Sequence, residues 1–184
     1  MWSDGSVETV ILTGMPGAGK STVSRLLAAK LPRAARIAAD DLNAMIIAGA
    51  VWPLGQPADE AARQVELSYR NLAALTQNFT AAGFVTIIDC VIPDGAHLNR
   101  LLEHLSSDSS SLVVLAPSTG TCRERNASRE ANERFTFDGY DELDQAMRRD
   151  FGDRGWWLDT SEVTADTTAE HIATGLGLGT APSH

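Results

Sequence analysis

Residues 14–22 read "GMPGAGKST", in which Gly14, Gly19, Lys20 and Ser21 fill the fixed positions of G-x-x-x-x-G-K-[ST]. Glycines at this spacing let the backbone turn tightly enough for successive N–H groups to face one anion. A helix starting at the lysine adds the positive end of its dipole. The nest formed by Gly14, Met15, Pro16, Gly17, Ala18, Gly19, Lys20, Ser21 and Thr22 therefore suits a polyphosphate. Lys20 is expected to reach the β- and γ-phosphates as a point charge, the Ser21 hydroxyl to ligate Mg²⁺, and Thr22 to lie nearer the α-phosphate. No G-x-G-x-x-G follows a strand pattern, so the expected ligand is ATP or GTP rather than a dinucleotide.

Carboxylates at two strand ends supply the rest of the chemistry. "FVTIID" closes on Asp89, where a metal-side carboxylate would stand beside Ser21 and hold Mg²⁺ through water; a turn cap or a substrate contact are the alternatives. "IAADD" ends the second expected strand with Asp40 and Asp41, at the carboxyl edge where open α/β sheets bind ligands. A carboxylate there can take the proton of an acceptor hydroxyl and orient its oxygen for in-line attack. Asp40 is the preferred base, because Asp41 is well placed to cap a helix over "LNAMIIAG".

Basic residues are scarce, and several gather in "CRERNASRE". Arg125 and Arg129, at i, i+4 spacing, are expected to sit on a lid at 119–137 that neutralises charge on the transferred group, with Arg123 and Arg134 flanking them. Alternation with Glu124, Glu130 and Glu133 also permits a solvated salt-bridge face. On the acceptor side, Asp41, Trp52, Val91 and Ile92 are read as lining a mostly apolar pocket, with Ile46 and Ile47 as packing residues.

These residues need a scaffold. Apolar runs at 7–12, 37–39, 84–88, 112–116 and 156–158 read as strands. Helical patterns at 21–31, 58–82 and 142–151 lie between them, and Thr167 with Glu170 suggests a capping box for a last helix. Strands alternating with helices make a mostly parallel sheet covered on both faces, in one domain over 1–174 with a glycine-rich tail at 175–184. The serine-rich stretch at 106–111 is read as a solvated connection.

A net charge of -9 gives an average field that repels nucleic acid and anionic lipid. Cys90 and Cys122 stand far apart without a CxxC, which argues against a zinc site or a disulfide scaffold; the four histidines form no metal pattern. The start "MWSDGSVE" lacks the features of a leader and no run is long enough to span a membrane, so a cytoplasmic setting is expected.

"LTGMPGAGKST", "ADDLNAMI", "VTIIDCVI", the arginine segment and "GWWLDTS" together resemble the small P-loop kinases, in the branch that includes chloramphenicol phosphotransferase and related antibiotic or metabolite kinases. The resemblance implies a three-layer P-loop NTPase fold with a five-stranded parallel sheet in the nucleoside-monophosphate-kinase arrangement. It also implies ATP-dependent transfer of the γ-phosphoryl group to a small-molecule hydroxyl, as on an antibiotic, nucleoside or related metabolite, with Asp40 as base. "MPGAGKST", "ADDLNAMI" and "RNASR" are also similar to the kinase half of polynucleotide 5'-kinases, where lid arginines match Arg125 and Arg129. Arg36 precedes the strand end instead of following the Asp pair, so the basic hook for a nucleic-acid phosphate is missing. Polynucleotide or nucleotide kinase is thus the alternative within the class. A regulatory ATPase with water as acceptor is the alternative outside it, and no water-activating glutamine is legible.

Overall fold

A strand buried on both faces can be apolar without alternation, and the two strands β1 (Thr9–Gly14) and β3 (Val85–Asp89) are buried at every position. The computed structural model describes residues 7–105, 109–130, 134 and 136–179. Residues 1–6 and the parts 106–108, 131–133, 135 and 180–184 of the expected loop, lid and tail lie outside the described residues.

With β2 (Ala34–Ala38), β4 (Ser110–Leu115) and β5 (Trp156–Leu158), these strands form one five-stranded sheet in the order β2-β3-β1-β4-β5, parallel throughout. β1 is central, as expected. Helices α1 (Lys20–Lys30) and α7 (Ala165–Gly175) pack together on one face, while α3 (Ala58–Ala81), α4 (Gly95–Leu105) and α6 (Tyr140–Phe151) cover the other. That distribution follows from right-handed crossovers between parallel strands. Two short helices, α2 (Ala39–Asn43) and α5 (Thr119–Ala127), follow β2 and β4. Between the layers the side chains of Ile11, Leu12, Leu27, Leu72, Ile87 and Leu101 are wholly buried.

Register brings the chemistry together. Leu12 of β1 and Ala38 of β2 both stand opposite Asp89, so the glycine loop, the Asp pair and Asp89 leave the sheet at one edge.

Several local expectations change. Helix α7 is capped by Thr164, whose side chain accepts from the Thr167 N–H at 3.2 Å, so Thr167 and Glu170 do not form its capping box. Helix α2 starts at Ala39 with Ala38 as N-cap, which places Asp40 and Asp41 inside its first turn; Asp41 is not a cap, and the helix stops at Asn43 instead of running through "AMIIAG". Ile47, expected to pack, is 91% exposed. Leu178, read as part of the tail, is buried against the core. Both cysteines are buried free thiols, and burial raises Cys90 to about 12 and Cys122 to about 11, which keeps them protonated and unreactive.

Candidate active site

The glycine loop turns directly out of β1. Its Ala18 N–H donates to Met15 O at 3.0 Å, and Gly19 caps α1 at φ 96, a left-handed conformation that suits glycine. Gly17 combines φ 81 with a close approach: a Cβ there would stand 2.4 Å from the Cys122 carbonyl oxygen. At Gly19 a Cβ would meet nothing within 4 Å. Gly17→Ala is therefore expected to lower the melting temperature and triphosphate affinity more than Gly19→Ala. Gly17→Ala adds a clash to strain of about 1–3 kcal/mol, whereas Gly19→Ala adds only strain. Thermal melts and titration of both variants check the ranking.

Lys20 projects back over the loop, its Nζ donating to Gly14 O at 3.0 Å and Met15 O at 3.1 Å. Desolvation lowers the pKa of this ammonium, and the charges of Asp89 and then Asp40 oppose the shift. The cation is thus poised at the loop mouth with two carboxylates near enough to act on it.

Asp89 is buried at 5% exposure and bound through Oδ2, which receives Arg36 Nη2 at 2.6 Å and Ser24 Oγ at 3.2 Å. Arg36 Nη1 also lies 3.3 Å from Asp41 Oδ2. The two members of the Asp pair therefore differ: Asp41 is held by Arg36, while Asp40 contributes to the field at Lys20. Ser21 and Asp89 offer hard oxygens, and Ser24 Oγ is within hydrogen-bond distance of both Ser21 O and Asp89 Oδ2. A pair of protein oxygens completed by phosphate and water is the donor set Mg²⁺ takes. Among the described residues no group of three or more His, Cys, Asp or Glu is placed to hold a metal ion.

Beside the loop lies a cleft of about 270 Å³, lined by Ala18, Gly19, Thr22, Arg125, Thr160 and Thr164 among others. Arg125 Nη2 donates to Thr160 O at 2.7 Å and reaches Ser161 O at 3.4 Å, so this arginine is fixed to the cleft wall. Helix α5 ends at Ala127 with Ser128 as its C-cap, and Arg129 lies beyond it. The shared helical face expected for Arg125 and Arg129 is therefore absent.

The acceptor side also departs from expectation. Trp52 is 63% exposed and Val91 39% exposed, as pocket residues can be, but Ile92 is wholly buried and its N–H donates to Thr13 Oγ1 at 3.0 Å. Ile92 is a core residue and lines no pocket. The loop carrying Trp52 is tied to α3 by Gln64, which accepts from the Val51 N–H at 2.8 Å and donates to Gly49 O at 2.7 Å. Gln64, Ser24 and the contacts of Arg36 escaped the sequence reading. The available signal was an arginine inside the otherwise apolar β2.

The family model described as AAA domain (AAA_33) matches residues 10–154, a span that runs from β1 past the end of α6. The chain belongs to this family. The AAA_33 match contains the glycine loop, Asp40, Asp41, Asp89 and the arginine segment. Among solved structures, the tunicamycin resistance protein of Deinococcus radiodurans superposes with a TM-score of 0.69 at 17% identity, covering 95% of this chain and 98% of that one. APS kinase CysC of Mycobacterium tuberculosis, in complex with AMPPNP and APS, gives 0.66 at 19% identity, over 94% and 98%. At these identities the likeness is one of fold, the parallel sheet of small P-loop kinases. The bifunctional enzyme CysN/CysC of Rhodopirellula baltica is 27% identical over 136 residues, which is 71% of this chain. The chain spans about a fifth of the length of that curated relative (20%).

Proposed function

We propose that this AAA_33 chain is an ATP-dependent O-phosphotransferase that moves the γ-phosphoryl group to a hydroxyl of a small, partly apolar molecule such as an antibiotic, a nucleoside or a related metabolite. The observation that carries the reading is the division of labour within the Asp pair. Arg36 holds Asp41, which leaves Asp40 as the carboxylate of the pair acting on the phosphate-loop lysine. A base and a phosphate-binding cation at one sheet edge are what hydroxyl phosphorylation requires.

In this reading the triphosphate lies along Gly14–Thr22. Lys20 leaves the carbonyls of Gly14 and Met15 for the β- and γ-phosphates, and the nucleoside enters the cleft walled by Thr160 and Arg125. Ser21 and Asp89 would hold Mg²⁺, which when bound neutralises phosphate charge. Asp40 takes the proton of the acceptor hydroxyl as that oxygen bonds to the γ-phosphorus and the bond to the β-phosphate oxygen breaks, releasing ADP. Exposed Met45, Trp52 and Leu54 on the connection between α2 and α3, with Val91 just after β3, favour an acceptor with an apolar surface. The net charge of -9 disfavours a polynucleotide.

Labelled ATP offered with nucleosides, aminocyclitols, phenylpropanoid antibiotics and short oligonucleotides tests the proposal. The expected product carries label on a small-molecule hydroxyl. Label on oligonucleotide 5' ends would instead assign a polynucleotide kinase. ATP turnover that no acceptor alters would assign an ATPase.

A further inference from the structure

Arg36 is the single arginine of β2, and its guanidinium is divided among three groups on three other elements. Nη2 donates to Asp89 Oδ2 at 2.6 Å, Nε to Ser24 Oγ at 2.8 Å, and Nη1 to Asp41 Oδ2 at 3.3 Å. Ser24 closes a ring with its own 3.2 Å contact to Asp89 Oδ2; its hydroxyl has one proton to give, and the carboxylate is a stronger acceptor than the Ser21 carbonyl. Ser24 has no exposed surface, and the Arg36 side chain is 15% exposed. The bonds to Asp89 in this ring all fall on Oδ2.

Building on the phosphotransferase reading, we propose that Arg36 is the positioning residue of the metal-side carboxylate. It holds Asp89 Oδ2 in the wall, which keeps Oδ1 available to the Ser21 side of the glycine loop. Through Asp41 it links that orientation to helix α2, which carries the candidate base Asp40.

Two physical arguments support this. First, Lys20 opens the helix that follows the glycine loop out of β1, and β1 runs beside β3 in the register that pairs Leu12 with Asp89, so the lysine and this carboxylate leave the sheet at the same edge. A carboxylate released from Arg36 would turn toward that ammonium and both would be diverted from the nucleotide. Second, the task needs a fork. Arg36 addresses Ser24, Asp89 and Asp41 from three different nitrogens held in one rigid plane, whereas a lysine ammonium gathers its three donors on a single nitrogen and cannot span the same acceptors. Groups that orient a metal-side ligand typically change metal-dependent affinity by about 10–100-fold when removed.

The test uses the full chain and the non-hydrolysable analogue AMPPNP, titrated calorimetrically with and without Mg²⁺. For each variant the readout is the gain in affinity on adding Mg²⁺, referred to that variant's own Mg²⁺-free affinity, so that a general loosening of the site cancels. In Arg36→Met the gain is expected to shrink by about 10–100-fold. Ser24→Ala should shrink it less, and Arg36→Lys should restore only part. A wild-type gain in Arg36→Met, or equal losses with and without Mg²⁺, would overturn the proposal and leave Arg36 as a structural ion pair. If Arg36→Met does not fold, Arg36→Lys and Ser24→Ala decide by the same two outcomes. A wild-type chain that binds no AMPPNP under either condition would overturn the phosphotransferase reading as well. A normal wild-type gain with unchanged variants overturns only the role of Arg36.

Discussion

Lys20→Ala is expected to lower triphosphate affinity by about 30-fold or more, because removing one partner of a hydrogen-bonded charge pair costs about 2–5 kcal/mol. Lys20 Nζ donates to Gly14 O and Met15 O, so the ammonium stands at the loop mouth itself, and its loss removes the cation that needs little rearrangement to meet a phosphate there. Calorimetric titration with AMPPNP measures the change. Affinity retained within about threefold, less than the roughly tenfold that 1.4 kcal/mol represents, would remove the phosphate-cradle assignment.

Asp40→Asn is expected to slow transfer to the best acceptor by about 10²–10⁴-fold while leaving AMPPNP affinity nearly unchanged, since a positioned general base typically contributes that much. Asp40 does not cap a helix, so its loss should not be felt through a missing cap. Ala38 is the N-cap of α2, and Asp40 lies within the first turn, where a carboxylate contributes about 0.3–1 kcal/mol to the helix dipole. The stability cost of the variant should be correspondingly small. Asp41→Asn provides the internal comparison, because its carboxylate is 72% exposed and engaged by Arg36. Steady-state kinetics on both variants, with melting curves, separates the roles. If Asp41→Asn were the slower enzyme, the base would be Asp41.

The amino-acid sequence by itself determined the parts that depend on short-range chemistry. The glycine loop is legible because close-packed glycines followed by Lys20 and Ser21 have few structural uses other than an anion nest, and the loop sits between β1 and α1 as that reading requires. The parallel sheet is legible because β1 and β3 are apolar without alternation and are separated by helix-length segments. Pro57 at the start of α3 and Gly83 just after it, at φ 80, set that helix to within a residue of its expected span. Short caps were less legible, since Thr164 and Thr167 are both competent and only the helix start decides between them.

Tertiary structure alone decided which groups meet. Arg36 and Asp89 are 53 positions apart, and their contact depends on β2 and β3 being neighbours in a register that sets Ala38 opposite Asp89. Arg125 meets Thr160 across 35 positions because α5 leaves β4 beside the end of β5. Val91 and Ile92 are adjacent and equally apolar, yet one is exposed and the other buried, because Thr13 Oγ1 holds the Ile92 N–H. Composition and periodicity are set by each residue's near neighbours and can be read along the chain. Strand order, register and side-chain reach are set by the packing of distant segments, and they make Asp40 and Asp41 chemically different residues.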